Sequence, residues 1–268
     1  MKRRMLVWLL ALAPAAAGAQ GLPADARPAE LREVGYDQRL GEQAPLDVVL
    51  RDEEGREVTL GRFFGRRPVV LTLVYYDCPM LCTLSLNALA SALATLSFEV
   101  GREFEVVTVS FDPREGHELA RAKKAAYLRR YKRPGAEAGW HFLTGDEASL
   151  KRLTRAVGFR YAWDERTQQF AHPAGVVVLT ADGRLSRYLY GVEYAPKDLK
   201  LAVMESAAGR IGTVVDQVLL FCYRYDPQTG RYGAMIMRMV RVGAILTLAG
   251  LAGLIYALRR AEPRQVGA

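Results

Sequence analysis

Two cysteines four positions apart, Cys78 and Cys82, are the residues of this chain best suited to chemistry. They follow the apolar run "RPVVLTLVYY", so both thiols fall at the end of a strand that reads as buried. Such a pair can close a disulfide, act as a reactive thiol or clamp a metal, and each use needs different neighbours. On one helical turn the two Cβ atoms would stand about 5–6 Å apart, whereas a relaxed disulfide wants about 3.5–4.5 Å. A bridge therefore asks for local unwinding, which a loop at a helix start allows. A metal between the sulfurs relaxes the demand, because each metal–sulfur bond adds about 2.3 Å. Pro79 suits a first helical turn, and a helix N-terminus favours thiolate. Two thiolates select a soft ion such as Cu(I).

A third donor would be a histidine, and the chain has three. His117 falls on a charged, amphipathic helix and reads as solvated. His141, in "GWHFLTG", alternates with apolar residues as a part-exposed strand position. His172, in "QQFAHPAGVVVL", sits in a loop just before a strand, beside a proline that fixes the turn; it is the preferred one of the three. Met80, between the cysteines, reads as a packing residue rather than a thioether ligand. Met235, Met237 and Met239 read as apolar packing rather than a copper relay. Cys222, the odd thiol, reads as a small buried hydrophobe rather than an accessory ligand. A peroxiredoxin-type PxxxTxxC does not fit either cysteine of the pair: Tyr75 and Leu71 occupy the positions where its proline would stand.

Positioning these groups requires a sheet. "LDVVLRDEEGREVTLGRFF" predicts two short strands around a turn at Gly55. "RPVVLTLVYY" and "FEVVTVSF" read as buried central strands. Helical spacing follows each, in "MLCTLSLNALASALATL" and "HELARAKKAAYLRRYKRPG", the latter stopped by Pro134 and Gly135. "WHFLTGDEASLKRLTRAVGF" adds a strand and an N-capped helix ending at Gly158. "GVVVLTADGRLSRYLYG" is a hairpin turning at Asp182–Gly183, and Asp198–Ala208 and Thr213–Phe221 read as helices. Alternating strands and helices, then a hairpin and a helix, predict one α/β domain with a thioredoxin-like central mixed sheet flanked by helices.

The net charge of +8 would fit a nucleic-acid binder if it lay on the domain. It does not. Lys2, Arg3 and Arg4 crowd one terminus, and Arg238, Arg241, Arg259, Arg260 and Arg264 gather around the last apolar segment. Without those two ends the body holds 29 basic and 28 acidic residues, so a polyanion partner is excluded. "MKRRMLVWLLALAPAAAGAQ" has the basic, apolar and small-residue parts of a secretory signal, with the mature chain expected from Gln20. Val242–Leu258 carries no charge and is flanked by arginines, which predicts a C-terminal transmembrane helix. The expected organisation is a signal peptide over 1–19, a flexible lead-in over 20–44 and a thioredoxin-like domain over 45–225. A juxtamembrane segment over 226–241, a membrane helix over 242–258 and a cytosolic tail over 259–268 would follow. The main domain would lie on the periplasmic side of a cell membrane, in contact with its lipid.

The stretches "LDVVLRDEEGREVTLGRFFGRRPVVLTLVYYDCPMLC", "VVTVSFDP", "WHFLTG" and "HPAGVVVLTADGRL" resemble the Sco/SenC family of copper-binding, thioredoxin-like proteins that assemble cytochrome c oxidase. The specific part is a CxxxC with a histidine some ninety positions downstream. The resemblance implies a copper site made by Cys78, Cys82 and His172. It implies a metallochaperone that receives copper from an upstream donor and delivers it to the copper-bearing oxidase subunit. The alternative is a thiol–disulfide reductase that uses Cys78 and Cys82 as a catalytic pair, able to form a disulfide, and keeps the oxidase cysteines reduced. A redox or copper sensor is a third possibility. The family often has an acidic residue just before this histidine; here it is Ala171, so a carboxylate orienting the imidazole would come from elsewhere, with Asp77 the candidate.

Overall fold

The computed structural model describes residues 33–211, 225–226, 231–232 and 234–261. The strands in chain order are β1 (Gly35–Tyr36), β2 (Val49–Arg51), β3 (Glu57–Thr59), β4 (Val69–Val74), β5 (Glu105–Ser110), β6 (Trp140–Leu143), β7 (Phe159–Arg160), β8 (Ala162–Asp164), β9 (Gln169–Ala171), β10 (Gly175–Leu179), β11 (Leu185–Tyr190), β12 (Tyr225–Asp226) and β13 (Arg231–Tyr232). The helices are α1 (Leu81–Thr95), α2 (His117–Tyr131), α3 (Glu147–Ala156), α4 (Pro196–Ala207) and α5 (Ala234–Ala261).

Five strands form the central sheet in the order β11-β10-β4-β5-β6. Strands β4, β5 and β6 run parallel, while β10 and β11 are antiparallel, so the sheet is mixed. That arrangement fits the thioredoxin-like expectation. Strand β4 is buried along its whole length, as a continuous Val/Leu/Thr run covered on both faces must be. Strands β5 and β10 repeat the pattern with "EVVTVS" and "GVVVL". The parallel pairs need crossovers, and α1 and α2 supply them. Helix α1 packs on both α2 and α4, with Leu89 and Leu93 fully buried.

The local signals act where the sequence puts them. Gly55 takes φ +82° between β2 and β3, and Gly183 takes φ +86° between β10 and β11. The Asp146 carboxylate accepts the Ser149 N–H at 2.9 Å and caps α3. Gly158, φ +66°, ends the segment after α3 because nothing larger fits: a Cβ there would lie 1.8 Å from the Asp37 carbonyl oxygen. Gly158→Ala is therefore expected to cost at least about 1 kcal/mol, read as a lower thermal unfolding midpoint.

Between α3 and β10, where no element was expected, β8 and β9 form a hairpin in which Trp163 faces Phe170. Two expectations need correction. The lead-in is not all loose, since Gly35–Tyr36 pairs with Arg160 and Phe159 of β7 and Ala44 is buried. The other concerns the membrane. Helix α5 starts within the stretch expected to be juxtamembrane and continues unbroken through the one expected to span, but no helix among the described residues is long and apolar enough to cross a membrane. Its charge-free part, Val242–Leu258, is 17 residues between Arg241 and Arg259. That is about 25 Å at 1.5 Å per residue, short of the roughly 30 Å hydrocarbon core. The expected signal peptide, Cys222 and the Thr213–Phe221 helix lie outside the described residues, and Met235, Met237 and Met239 fall in the first turns of α5.

Candidate metal centre

Strand order and register bring the site together. Because β10 runs antiparallel to β4 with Val176 opposite Thr72, the segment entering β10 meets the segment leaving β4. The first carries His172 and the second Cys78. On the other side of β4, parallel β5 places Ser110 opposite Val74, so Phe111 and Glu115 reach the same edge. Residues more than ninety positions apart in the chain thus converge at one rim of the sheet.

Helix α1 starts at Leu81, so Cys78 and Pro79 remain in the loop and only Cys82 lies in the helix. The two cysteines therefore do not share a regular turn, and Pro79 precedes the helix instead of occupying its first turn. Met80, the N-cap, offers no side-chain acceptor. The Cys78 sulfur takes that part, accepting the Cys82 N–H at 3.3 Å. The Tyr75 N–H donates to the Cys82 sulfur at 3.4 Å, and Cys82 Sγ stands 3.2 Å from His172 Nε2. Donor atoms of Cys78, Cys82 and His172 all lie within 4.8 Å of one another, the one such group of three among the described residues. Both cysteines are free thiols.

The imidazole is held from its other side. His172 Nδ1 is 3.0 Å from the Pro173 carbonyl oxygen. A carbonyl only accepts, so Nδ1 carries the hydrogen and Nε2 presents its lone pair toward the sulfurs. Asp77 does not play this part: it is exposed, and its N–H donates to Glu115. The His-Pro turn brings the chain's own carbonyl to the ring where a carboxylate was expected. Tyr75, Phe111 and Phe159 surround the ring at centroid distances of 5.7, 5.3 and 6.3 Å, and only 8% of His172 is exposed.

The two thiols differ sharply. Hydrogen bonds from the Cys82 side chain and the Cys82 N–H outweigh burial and pull Cys78 down to about 3. Burial pushes Cys82 well up, and the neighbouring Cys78 sulfur adds to the rise. The pair thus gives up its first proton easily and its second with difficulty, as two close like charges must. A metal cation reverses that second penalty, since a coordinating thiol is deprotonated outright.

A cavity of about 310 Å³ opens over the donors, lined by Tyr75, Cys78, Met80, Phe170 and His172 among others. Met80 is 67% exposed at its wall, so the packing role read from the sequence does not describe it. His117 and His141 are not part of the centre. His117 lies on α2 against Gly55, and His141 sits on β6 against Phe63 with Nε2 3.7 Å from Glu105.

Glu115 went unnoticed in the sequence. Its carboxylate accepts the N–H groups of Tyr76 and Asp77, both at 2.7 Å, and the Ser110 hydroxyl. It fixes the backbone that leads into Cys78. Burial raises its pKa. The available signal was its place just after the "DP" turn that ends β5, a position sharing an edge with the cysteine loop.

No curated protein matches this chain in sequence. Among solved structures, a candidate electron transfer protein from Aquifex aeolicus VF5 is 27% identical, with a TM-score of 0.57 over 66% of this chain and 98% of its own. BsSco, a member of the Sco family of cytochrome c oxidase assembly proteins with an identified disulfide switch, is 16% identical, with a TM-score of 0.50 over 64% and 98%. Arabidopsis thaliana ScoI, solved with copper bound, is 19% identical, with a TM-score of 0.48 over 60% and 96%. The SCO1/SenC family model matches residues 40–207, which include both cysteines, the imidazole and the sheet that joins them. The chain belongs to the SCO1/SenC family.

Proposed function

We propose that this chain is a copper metallochaperone: it binds one copper ion through Cys78, Cys82 and His172 and delivers it to the dinuclear copper centre of cytochrome c oxidase. The observation that carries the reading is the convergence of two sulfurs and one unprotonated imidazole nitrogen within 4.8 Å. Thiolates suit Cu(I), and imidazole suits Cu(II). Family membership and the assembly role stated for BsSco support the choice of copper over other soft ions. The cavity beside the donors gives an acceptor's ligands a way in. Export through the N-terminal leader would place the domain outside the cytoplasm, where a copper donor supplies it.

A second reading is favoured by the asymmetry of the thiols. A readily ionised Cys78 beside a protonated Cys82 is the arrangement of an attacking thiolate and its resolving partner. On that reading the chain reduces the oxidase's copper-binding cysteines.

His172 separates the two. The purified protein with His172→Ala is expected to lose stoichiometric Cu(II) binding while still reducing a model disulfide. Cu(II) titration by equilibrium dialysis, beside a turnover assay, checks both. Undiminished Cu(II) affinity in the variant would favour the reductase.

A further inference from the structure

The imidazole hangs from a hairpin that the central sheet does not hold. Among the described strands β8 and β9 pair with each other alone, as a two-stranded sheet apart from the central five. His172 follows the last residue of β9, and no residue of either strand is fully buried. The hairpin also walls the cavity over the donors, through Asp164, Thr167, Gln169 and Phe170. An isolated two-stranded hairpin is marginal in water, so side-chain contacts decide how firmly it stays in place.

Two sets of contacts hold it. The Phe170 ring meets the buried rings of Tyr75 and Phe111, at centroid distances of 5.7 and 5.5 Å. The exposed Arg114 guanidinium lies over Trp163 at 4.9 Å and over Phe170 at 5.4 Å, the pair that faces across the hairpin. The same guanidinium grips the Asp112 carboxylate through Nε and Nη2, at 2.8 and 2.6 Å. Asp112 is only 4% exposed, and its N–H donates to the Ser110 hydroxyl oxygen at the end of β5. A carboxylate on the rim of the sheet thus fixes the edge of a planar cation and leaves its face to the rings. A guanidinium can do both at once, and an ammonium cannot.

We propose that Arg114 is a positioning residue of the copper centre: it clamps the β8–β9 hairpin to Asp112 and thereby keeps the His172 imidazole at the two sulfurs. This rests on the copper reading above. The effect is selective between the two ions. Paired thiolates suit Cu(I) by themselves, whereas Cu(II) draws on the imidazole. Loosening the hairpin therefore weakens Cu(II) binding more than Cu(I) binding.

The test compares the full chain with Arg114→Gln, Trp163→Leu and Arg152→Gln. Trp163→Leu attacks the clamp from the hairpin side and leaves the Asp112–Arg114 pair whole, so the proposal stays testable if Arg114→Gln folds poorly. Arg152→Gln removes a comparable fork elsewhere, made to Asp47 at 2.8 Å through both nitrogens. Arg114→Gln and Trp163→Leu are expected to speed hydrogen exchange at the amides of residues 162–171 in the metal-free protein. Their His172 ring ¹⁵N signals should move away from the single Nδ1–H tautomer toward a mixture. Cu(II) affinity should fall about tenfold to a hundredfold, the usual effect of losing an outer partner, with a smaller fall for Cu(I). Arg152→Gln should match wild type in all of these. Exchange and nitrogen signals that coincide with wild type in both clamp variants would overturn the proposal. Equal losses of Cu(I) and Cu(II) affinity would do the same, as would the same changes in Arg152→Gln. A wild type that binds no copper would remove the copper reading, and the metal-free exchange and nitrogen signals would still decide whether Arg114 positions His172.

Discussion

Cys82→Ser is expected to leave the protein folded and to lower its Cu(I) affinity by more than about a hundredfold. That exceeds the tenfold to hundredfold typical of losing an outer partner of a metal site. The serine oxygen can still accept the Tyr75 N–H and face His172 Nε2, contacts the sulfur makes at 3.4 and 3.2 Å. The buried first turn of α1 therefore keeps its hydrogen bonding, and the thermal midpoint should change little. What disappears is a polarisable anionic donor, for which a neutral hydroxyl is no substitute toward a soft cation. Competition against a Cu(I) chelator of known affinity measures the effect. An affinity within about tenfold of wild type would place Cys82 among the outer partners, not the ligands. Cys78→Ser should match it in copper loss. It also removes the sulfur that accepts the Cys82 N–H at the helix start, so some loss of stability is expected there.

Glu115→Ala should damage both stability and metal binding without touching a ligand. Removing the carboxylate strips the acceptor from the Tyr76 and Asp77 N–H groups and the Ser110 hydroxyl. Asp77 is exposed and can turn to water, but Tyr76 and Ser110 are buried. At about 1–3 kcal/mol for each of these two stranded buried groups, the loss is about 2–6 kcal/mol. The loop that carries Cys78 would lose its anchor, and copper affinity should fall about tenfold to a hundredfold. Glu115→Gln is the informative control. Its amide oxygen can keep the Tyr76 and Ser110 partners while the NH₂ group faces the Asp77 N–H, so an intermediate loss is expected. Denaturant unfolding and copper competition on the same samples check the pair. Affinity unchanged in Glu115→Ala would show that the loop holds its shape through Tyr75 and the sulfurs alone.

Much of this was legible in order along the chain. Strands covered on both faces announce themselves as Val-rich runs, and β4, β5 and β10 sit where those runs are. The turns at Gly55 and Gly183 and the cap at Asp146 are local chemistry, readable from a few residues. The short pieces were not legible. Strand β1 is two residues long and exists because Phe159 and Arg160 pair with it. The β8–β9 hairpin interrupts its alternation with the charged turn around Glu165 and Arg166. The long charge-free segment misled in the other direction: composition resembled a span, while length between the flanking arginines fell short of one.

The sequence by itself determined the donor types, the CxxxC spacing and the family pattern, because these are properties of residue identity and near neighbours. It singled out His172 only by its surroundings. What the tertiary structure alone decided is how the donors are aimed. Antiparallel pairing of β10 with β4 brings the imidazole to the sulfurs, the Pro173 carbonyl fixes which nitrogen faces them, and Glu115 holds the loop that carries Cys78. Contacts of that kind depend on strand order and register, which join positions too far apart along the chain for any local pattern to connect.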